Sequence, residues 1–168
     1  MTGDYARVFL LCVRMLRDPD EAATAAQDAF LRAYRRYAKT SAPPIEDPRR
    51  WMTRLAVNVC LDRLKLRRWN FFRRRAPAAL EETVLAFAPA AGPDPERLAA
   101  SRQIARRIEA AMDRLSDKQR TAFVLRHFEG LAFEEIGEVM GVDTGTAKTH
   151  LARAFGKLRE ELEDLYGR

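Results

Sequence analysis

A chain of 168 residues with 47% hydrophobic and 32% charged residues has an ordinary soluble composition, which excludes a disordered polyelectrolyte and leaves room for one core or two small ones. The formal net charge is +6, and its distribution says more than its size: residues 51–80 alone carry +7, with the remaining stretches near balance. Such a concentrated block suits a polyanion, because neutralised phosphates release counterions, although a solvated charged face has the same composition.

In chain order, the first apolar stripe is Val8, Leu11, Cys12, Met15 and Leu16, spaced for one helix face. Asp18-Pro19-Asp20 ends it, since proline lacks a backbone donor and disfavours helix in the residue before it. A second helix is predicted from about Pro19 to Tyr37, with Ala26, Phe30, Ala33, Tyr34 and Tyr37 on its apolar face and Gln27, Asp28, Leu31 and Arg35 turned elsewhere. Ser41-Ala42-Pro43-Pro44 breaks it. Asp47-Pro48 then supplies an N-cap and first-turn pair for a third helix. Its apolar stripe is Trp51, Met52, Leu55, Ala56 and Val59, and its polar stripe is Arg54, Asn58, Asp62 and Lys65.

From about Arg75 to Asp94 the sequence turns to Ala, Pro and Gly and reads as a flexible linker over 76–95. It divides an N-terminal unit (1–75) from a C-terminal one (96–168). Beyond it come a stripe of Ile104, Ile108, Ala111, Met112 and Leu115, and a capping box from Ser116 to Gln119. No stretch alternates as a strand does, so the expected fold is all-α, two small helical domains joined by a linker.

The most informative stretch is Leu131–Arg159. Phe133, Ile136, Val139 and Met140 make a short helix, Gly141 a tight turn, Val142 a core plug and Asp143 a cap for the next helix. That next helix buries Ala147, Leu151, Ala154 and Leu158 and turns Lys148, Thr149, Ala152 and Arg153 outward. From Gly145 to Arg159 it holds no acid, while Glu134, Glu135, Glu138 and Glu160, Glu161, Glu163, Asp164 flank it. A helix-turn-helix with a selectively acid-free second helix points to a DNA groove, where cations reach phosphates or base edges.

A second nucleic-acid candidate is the interleaving of Trp51, Trp69, Phe71 and Phe72 with Arg54, Arg63, Lys65, Arg67, Arg68 and Arg73–Arg75, because aromatics stack on unpaired bases while cations follow the backbone. Trp51 taken alone fits a core position equally well. Cys12 and Cys60 sit 48 positions apart among apolar neighbours, without CxxC or a nearby His, and are expected as reduced core thiols rather than metal ligands. No metal, no cofactor and no catalytic arrangement is predicted, so an enzyme is not expected. No long apolar run or secretory leader is evident, which implies a cytoplasmic protein without membrane insertion.

Gln27-Asp28-Ala29-Phe30-Leu31 with Tyr34, then Trp51-Met52-Thr53-Arg54-Leu55-Ala56-Val57-Asn58 continuing to Asp62-Arg63-Leu64, resemble the polymerase-clamp helix and the minus-10 melting segment of the extracytoplasmic-function (ECF) group of bacterial sigma factors. Leu115–Arg120, Phe123–Arg126, Glu134–Gly137 and Gly145–Ala154 are similar to that group's minus-35 reading domain. The resemblance implies a sigma factor that binds core RNA polymerase and promoter DNA and is held by an anti-sigma factor. By position, Gln27, Asp28 and Leu31 would face polymerase. Trp51, Arg54, Asn58, Asp62 and Arg63 would face minus-10 DNA, with Arg63 on the backbone; Lys148, Thr149, His150, Ala152, Arg153 and Lys157 would face the minus-35 duplex.

Four residues depart from the group's pattern. Ala23 and Thr24 replace usual acids beside the clamp helix. Ala132 replaces a capping Ser or Thr, at a cost of about 1 kcal/mol. His150 replaces a usual Arg and implies an altered promoter preference. On residues alone, a dimeric helix-turn-helix regulator and a helical RNA- or protein-binding adaptor remain open.

Overall fold

Seven α-helices and no strand are found among the residues that the computed structural model describes, 2–38, 44–71 and 95–166. They are α1 (Thr2–Leu16), α2 (Pro19–Tyr37), α3 (Pro48–Phe71), α4 (Pro95–Asp113), α5 (Asp117–His127), α6 (Phe133–Met140) and α7 (Thr144–Tyr166). The all-α expectation holds. Residues 72–94, which contain Phe72, Arg73–Arg75 and nearly all of the expected linker, lie outside the described residues, as do the side chains of Trp69 and Phe71.

Helices α1, α2 and α3 pack mutually. The first turn is set by Arg17, which takes the left-handed backbone at φ 58°, a strained choice for a side chain with a Cβ. Asp18 then caps α2, its carboxylate accepting the Glu21 N–H at 2.9 Å, and Pro19 fills the first helical position. Arg67 of α3 donates to the Leu16 carbonyl at 2.8 Å, satisfying the end of α1. On α3, Asp47 accepts the Arg50 N–H at 2.9 Å, as the Asp-Pro pair predicts.

The face that α2 buries differs from the expected one. Ala22, Ala25, Ala26, Ala29 and Ala33 are buried, whereas Tyr34 and Tyr37 are 71% and 61% exposed. Alanines lie on one face at spacings of three and four and let α1 and α3 approach closely. Bulky tyrosines would hold them apart. The facing core comes from Val8, Leu11, Met15 and Leu16 of α1 and from Met52, Ala56, Val57, Val59 and Leu64 of α3. Each large aliphatic there contributes about 1.5–3 kcal/mol by leaving water, against roughly 0.8 for a methyl-sized group. Cys12 and Cys60 are free and fully buried. A hydrogen bond to Cys12 and then burial push the Cys60 thiol well up, away from the reactive thiolate.

In the C-terminal unit α5 and α6 pack on α7, with α4 alongside. The Ser116 capping box is complete: Gln119 N–H donates to Ser116 Oγ at 3.3 Å, and Ser116 N–H to Gln119 Oε1 at 3.0 Å. Only Ala111, Met112 and Leu115 of the expected α4 stripe are buried; Ile104 and Ile108 are exposed. Arg120 is buried and donates to the carbonyls of Met112 at 3.1 Å, Leu115 at 3.2 Å and, across to α1, Met15 at 3.2 Å. Burial lowers its pKa; its three carbonyl partners compensate the lost hydration.

Candidate nucleic-acid interface

The helix-turn-helix forms as the residues dictate. Gly141 adopts φ 65° at the end of α6, and the Val142 N–H reaches back to the Gly137 carbonyl at 2.9 Å. A Cβ on Gly137 would stand 2.8 Å from the Val142 oxygen, so the close approach of turn and helix requires glycine there. Asp143 caps α7, accepting the Thr146 N–H at 2.8 Å and its hydroxyl at 2.6 Å. These bonds hold the Asp143 carboxyl below its ordinary range. At the other end of the motif Ala132 offers no side-chain acceptor; only the reciprocal half of a box exists, with Ala132 N–H donating to Glu135 at 2.7 Å.

Ala147, Leu151, Ala154 and Leu158 are buried, and Lys148, Thr149, Ala152 and Arg153 are exposed, so α7 is oriented as its spacing predicts. Small residues (Gly145, Ala152, Gly156) along the outward face leave its backbone accessible, and Lys148 and Arg153 flank them. The Lys148 ammonium lies 5.4 Å from the Phe133 ring centre, which steadies it without neutralising it. His150 is half-buried on the flank; burial, then Lys118 and Arg153, lower its pKa, keeping it neutral at pH 7. Lys157 turns away from this face and donates to the Arg114 carbonyl at 3.2 Å.

On α3, positions 51, 54, 58 and 62 fall within one narrow stripe of a 3.6-residue helix. Arg54, Asn58 and Asp62 are exposed, and Trp51 is half-buried, its ring centre 5.9 Å from that of Tyr37 in an edge-to-face pair. Arg63 lies on another side and pairs with Asp28 of α2, so these two sequence-predicted residues meet each other. Asp62 stands 4.0 Å from Arg32 and 3.8 Å from Lys65. Arg54 donates to Glu138 of α6 at 2.7 Å, a contact between residues 84 positions apart that no local pattern reveals. On α2, Gln27, Leu31 and Tyr34 share an exposed face. Sequence reasoning missed the contacts of Arg7 with Glu129 at 2.5 Å and Thr53 at 2.8 Å and of Arg50 with Glu135, and it gave Gly137 no role in the close approach of the turn, although that residue stands four positions before a second glycine.

A family model described as Sigma-70 region 2 matches residues 4–70, and one described as Sigma-70, region 4 matches residues 105–158. The ECF RNA polymerase sigma factor SigW of Bacillus subtilis is 32% identical over 95% of this chain and 84% of its own length. The chain belongs to the ECF RNA polymerase sigma factors. The RNA polymerase sigma-H factor of Pseudomonas aeruginosa is 30% identical over 95% of this chain and 82% of its own. Among solved structures, the sigma factor RpoE of Bartonella quintana, crystallised with the anti-sigma factor NepR, superimposes with a TM-score of 0.70 at 18% identity, covering 96% of this chain and 93% of that one. That likeness establishes the fold.

As a sigma factor the protein serves promoter recognition and transcription initiation with core RNA polymerase, and sigma factors are not enzymes. The two rival readings fall with this finding. The first match spans α1–α3 and the second runs from within α4 to within α7, so the α2 and α3 faces and the helix-turn-helix belong to different regions of the family. No helix among the described residues is long and apolar enough to cross a membrane.

Proposed function

We propose that this sigma factor divides its work among three faces and acts in the cytoplasm. Gln27, Asp28 and Leu31 on α2 hold the polymerase clamp. Trp51, Arg54, Asn58, Asp62 and Arg63 on α3 engage the minus-10 strand. Lys148, Thr149, His150, Ala152, Arg153 and Lys157 on α7 engage the minus-35 duplex, with Lys148, Thr149 and Arg153 nearest the groove and Lys157 at its margin. The observation that carries this reading is the outward face of α7, acid-free from Gly145 to Arg159 and presented by a capped helix behind a tight glycine turn.

Cations there meet phosphates and guanine edges, and Thr149 can reach either kind of acceptor. On α3 the amide of Asn58 offers both a donor and an acceptor to an unpaired base, beside the Arg54 guanidinium. Two weak modules on one chain gain affinity once polymerase aligns both. The chain contributes binding and positioning and no catalytic group. An anti-sigma factor, the kind of partner seen with the Bartonella protein, is the regulator this reading implies.

Transcription in vitro with core polymerase and a supercoiled promoter library tests it. The protein is expected to start transcripts at a defined two-part promoter, with Arg153→Ala and Asn58→Ala each lowering initiation about tenfold or more, as loss of a specific base contact does. A core polymerase that gains nothing from the protein, while the protein alone shifts a palindromic duplex, would overturn it.

A further inference from the structure

Helix α2 turns one row of charged side chains toward α3. Asp28, Arg32 and Arg36 stand one turn apart and meet α3 in order: Asp28 pairs with Arg63, Arg32 stands 4.0 Å from Asp62, and the Arg36 guanidinium lies 5.9 Å from the Trp51 ring centre. The two helices therefore run in opposite directions here. Gln27 and Leu31, which with Asp28 are proposed to hold the polymerase clamp, each precede a member of this row by one residue and so lie about 100° round the helix from it. Both are exposed.

The row borders the polar stripe of α3. Trp51, Arg54, Asn58 and Asp62 extend over about 16 Å of helix, room for a few nucleotides of a single strand. At one end Arg36 of α2 sits against Trp51. At the other, Asp62 stands between cations of both helices, Arg32 of α2 and Lys65 of α3, the latter at 3.8 Å. Arg32 and Asp62 are 48% and 56% exposed, so their pair is weak and the guanidinium can turn to a stronger partner at little cost. A phosphate is such a partner, because it accepts from the planar guanidinium fork at two oxygens.

We propose that α2 forms the second wall of the promoter strand's path: Arg32 grips a phosphate of the minus-10 strand while Trp51 and Asn58 of α3 address its bases, and Asp62 is the carboxylate that holds Arg32 beside the stripe. The proposal rests on α3 facing the minus-10 strand. It gives two sides of one helix to two partners, polymerase on Gln27 and Leu31 and nucleic acid on Arg32. Because the contact is with the backbone, Arg32 contributes affinity and register without selecting a base.

The test uses the full chain assembled with core polymerase and a fluorescent promoter fork whose minus-10 strand is unpaired, with binding read by anisotropy. Each phosphate of that strand is replaced in turn by an uncharged methylphosphonate. At one linkage, replacement is expected to weaken binding by the wild-type protein roughly three- to tenfold. Arg32→Gln should lose the same amount on the natural strand and nothing further at that linkage, and its slope of log affinity against log salt should be shallower by about 0.7. Arg32→Lys, which keeps the charge, should keep the slope. Insensitivity at one linkage is the decisive sign, since a variant that merely disturbed α2 would stay sensitive to all of them.

If Arg32→Gln binds the fork as the wild type does, or remains as sensitive as the wild type at every linkage, Arg32 makes no phosphate contact and the proposal fails. Weaker binding of Arg32→Gln to core polymerase alone would place Arg32 on the polymerase face and overturn it too. Asn58→Ala separates this failure from that of the α3 assignment. If Asn58→Ala weakens fork binding while Arg32→Gln does not, α3 still faces the strand and only the second wall is wrong. If neither does, the α3 assignment has failed as well.

Discussion

Helices α2 and α7 each bury a row of small or aliphatic side chains, yet their outward faces have opposite character. On α2 the alanines go inside and the large apolar groups outside: Leu31 is 52% exposed, and Tyr34 and Tyr37 more so. On α7 the aliphatics Leu151 and Leu158 go inside, and over the turns that follow the helix-turn-helix the exposed residues are Lys148, Thr149, Ala152 and Arg153, with Phe155 as an exposed aromatic beyond them. An exposed apolar and aromatic strip gains by covering itself with another protein, whereas a cationic strip with small residues between its charges suits closely spaced phosphates. The contrast supports the proposed division into a polymerase face and a DNA face.

The largest expected effect tests that separation directly. Leu31→Asp should lower affinity for core polymerase by roughly 30-fold, the scale of a lost interfacial anchor, and leave minus-35 duplex binding intact; Arg153→Ala should do the reverse. Surface-immobilised polymerase and a labelled duplex measure the two arms, and a variant that weakens both equally would dissolve the distinction. Next comes Gly137→Ala, whose Cβ would press on the Val142 carbonyl. It should destabilise the C-terminal unit by about 1–3 kcal/mol and reduce duplex binding with it, seen as faster amide exchange in α6 and α7 but not in α2.

A smaller effect concerns His150. Its folded pKa lies below the ordinary 6.5, so the neutral form is favoured; the associated stability is present above the unfolded pKa and lost as pH falls through the folded value. Charge gained there would face phosphate. Duplex affinity should therefore rise a few-fold as pH drops from about 7.5 to 5.5, and His150→Ala should abolish that rise, whereas polymerase binding through α2 should not follow this titration. The smallest effect is Ala132→Ser, which restores the missing acceptor at the start of α6 and should add about 0.5–1 kcal/mol in thermal unfolding, showing how far the DNA-reading unit is from its own stability limit.

Much of this architecture was legible because it is local. Asp18-Pro19, Asp47-Pro48, Ser116–Gln119 and the Gly141–Asp143 turn act within four residues, and each sets a helix end where its chemistry predicts. The buried row of α7 was equally plain. The outward position of Tyr34 and Tyr37 was not, because periodicity identifies an apolar side of a helix without telling whether large or small residues fit the space available. Ile104 and Ile108 mislead for the same reason. The roles of Lys148, Thr149 and Arg153 rest on a local pattern, but the partners of Arg54, Arg63 and Glu129 depend on contacts made across dozens of residues, and charge counts along a chain do not encode those.

The buried guanidinium of Arg120 ties these scales together. It sits on backbone carbonyls near the C-terminal ends of α1 and α4, where two helix dipoles place partial negative charge, and a lysine could not serve them with the same planar fork. One side chain thus closes a helix in each unit. Melting either unit takes carbonyl partners from that guanidinium, so heating should give a single calorimetric transition from two units that would otherwise melt in turn.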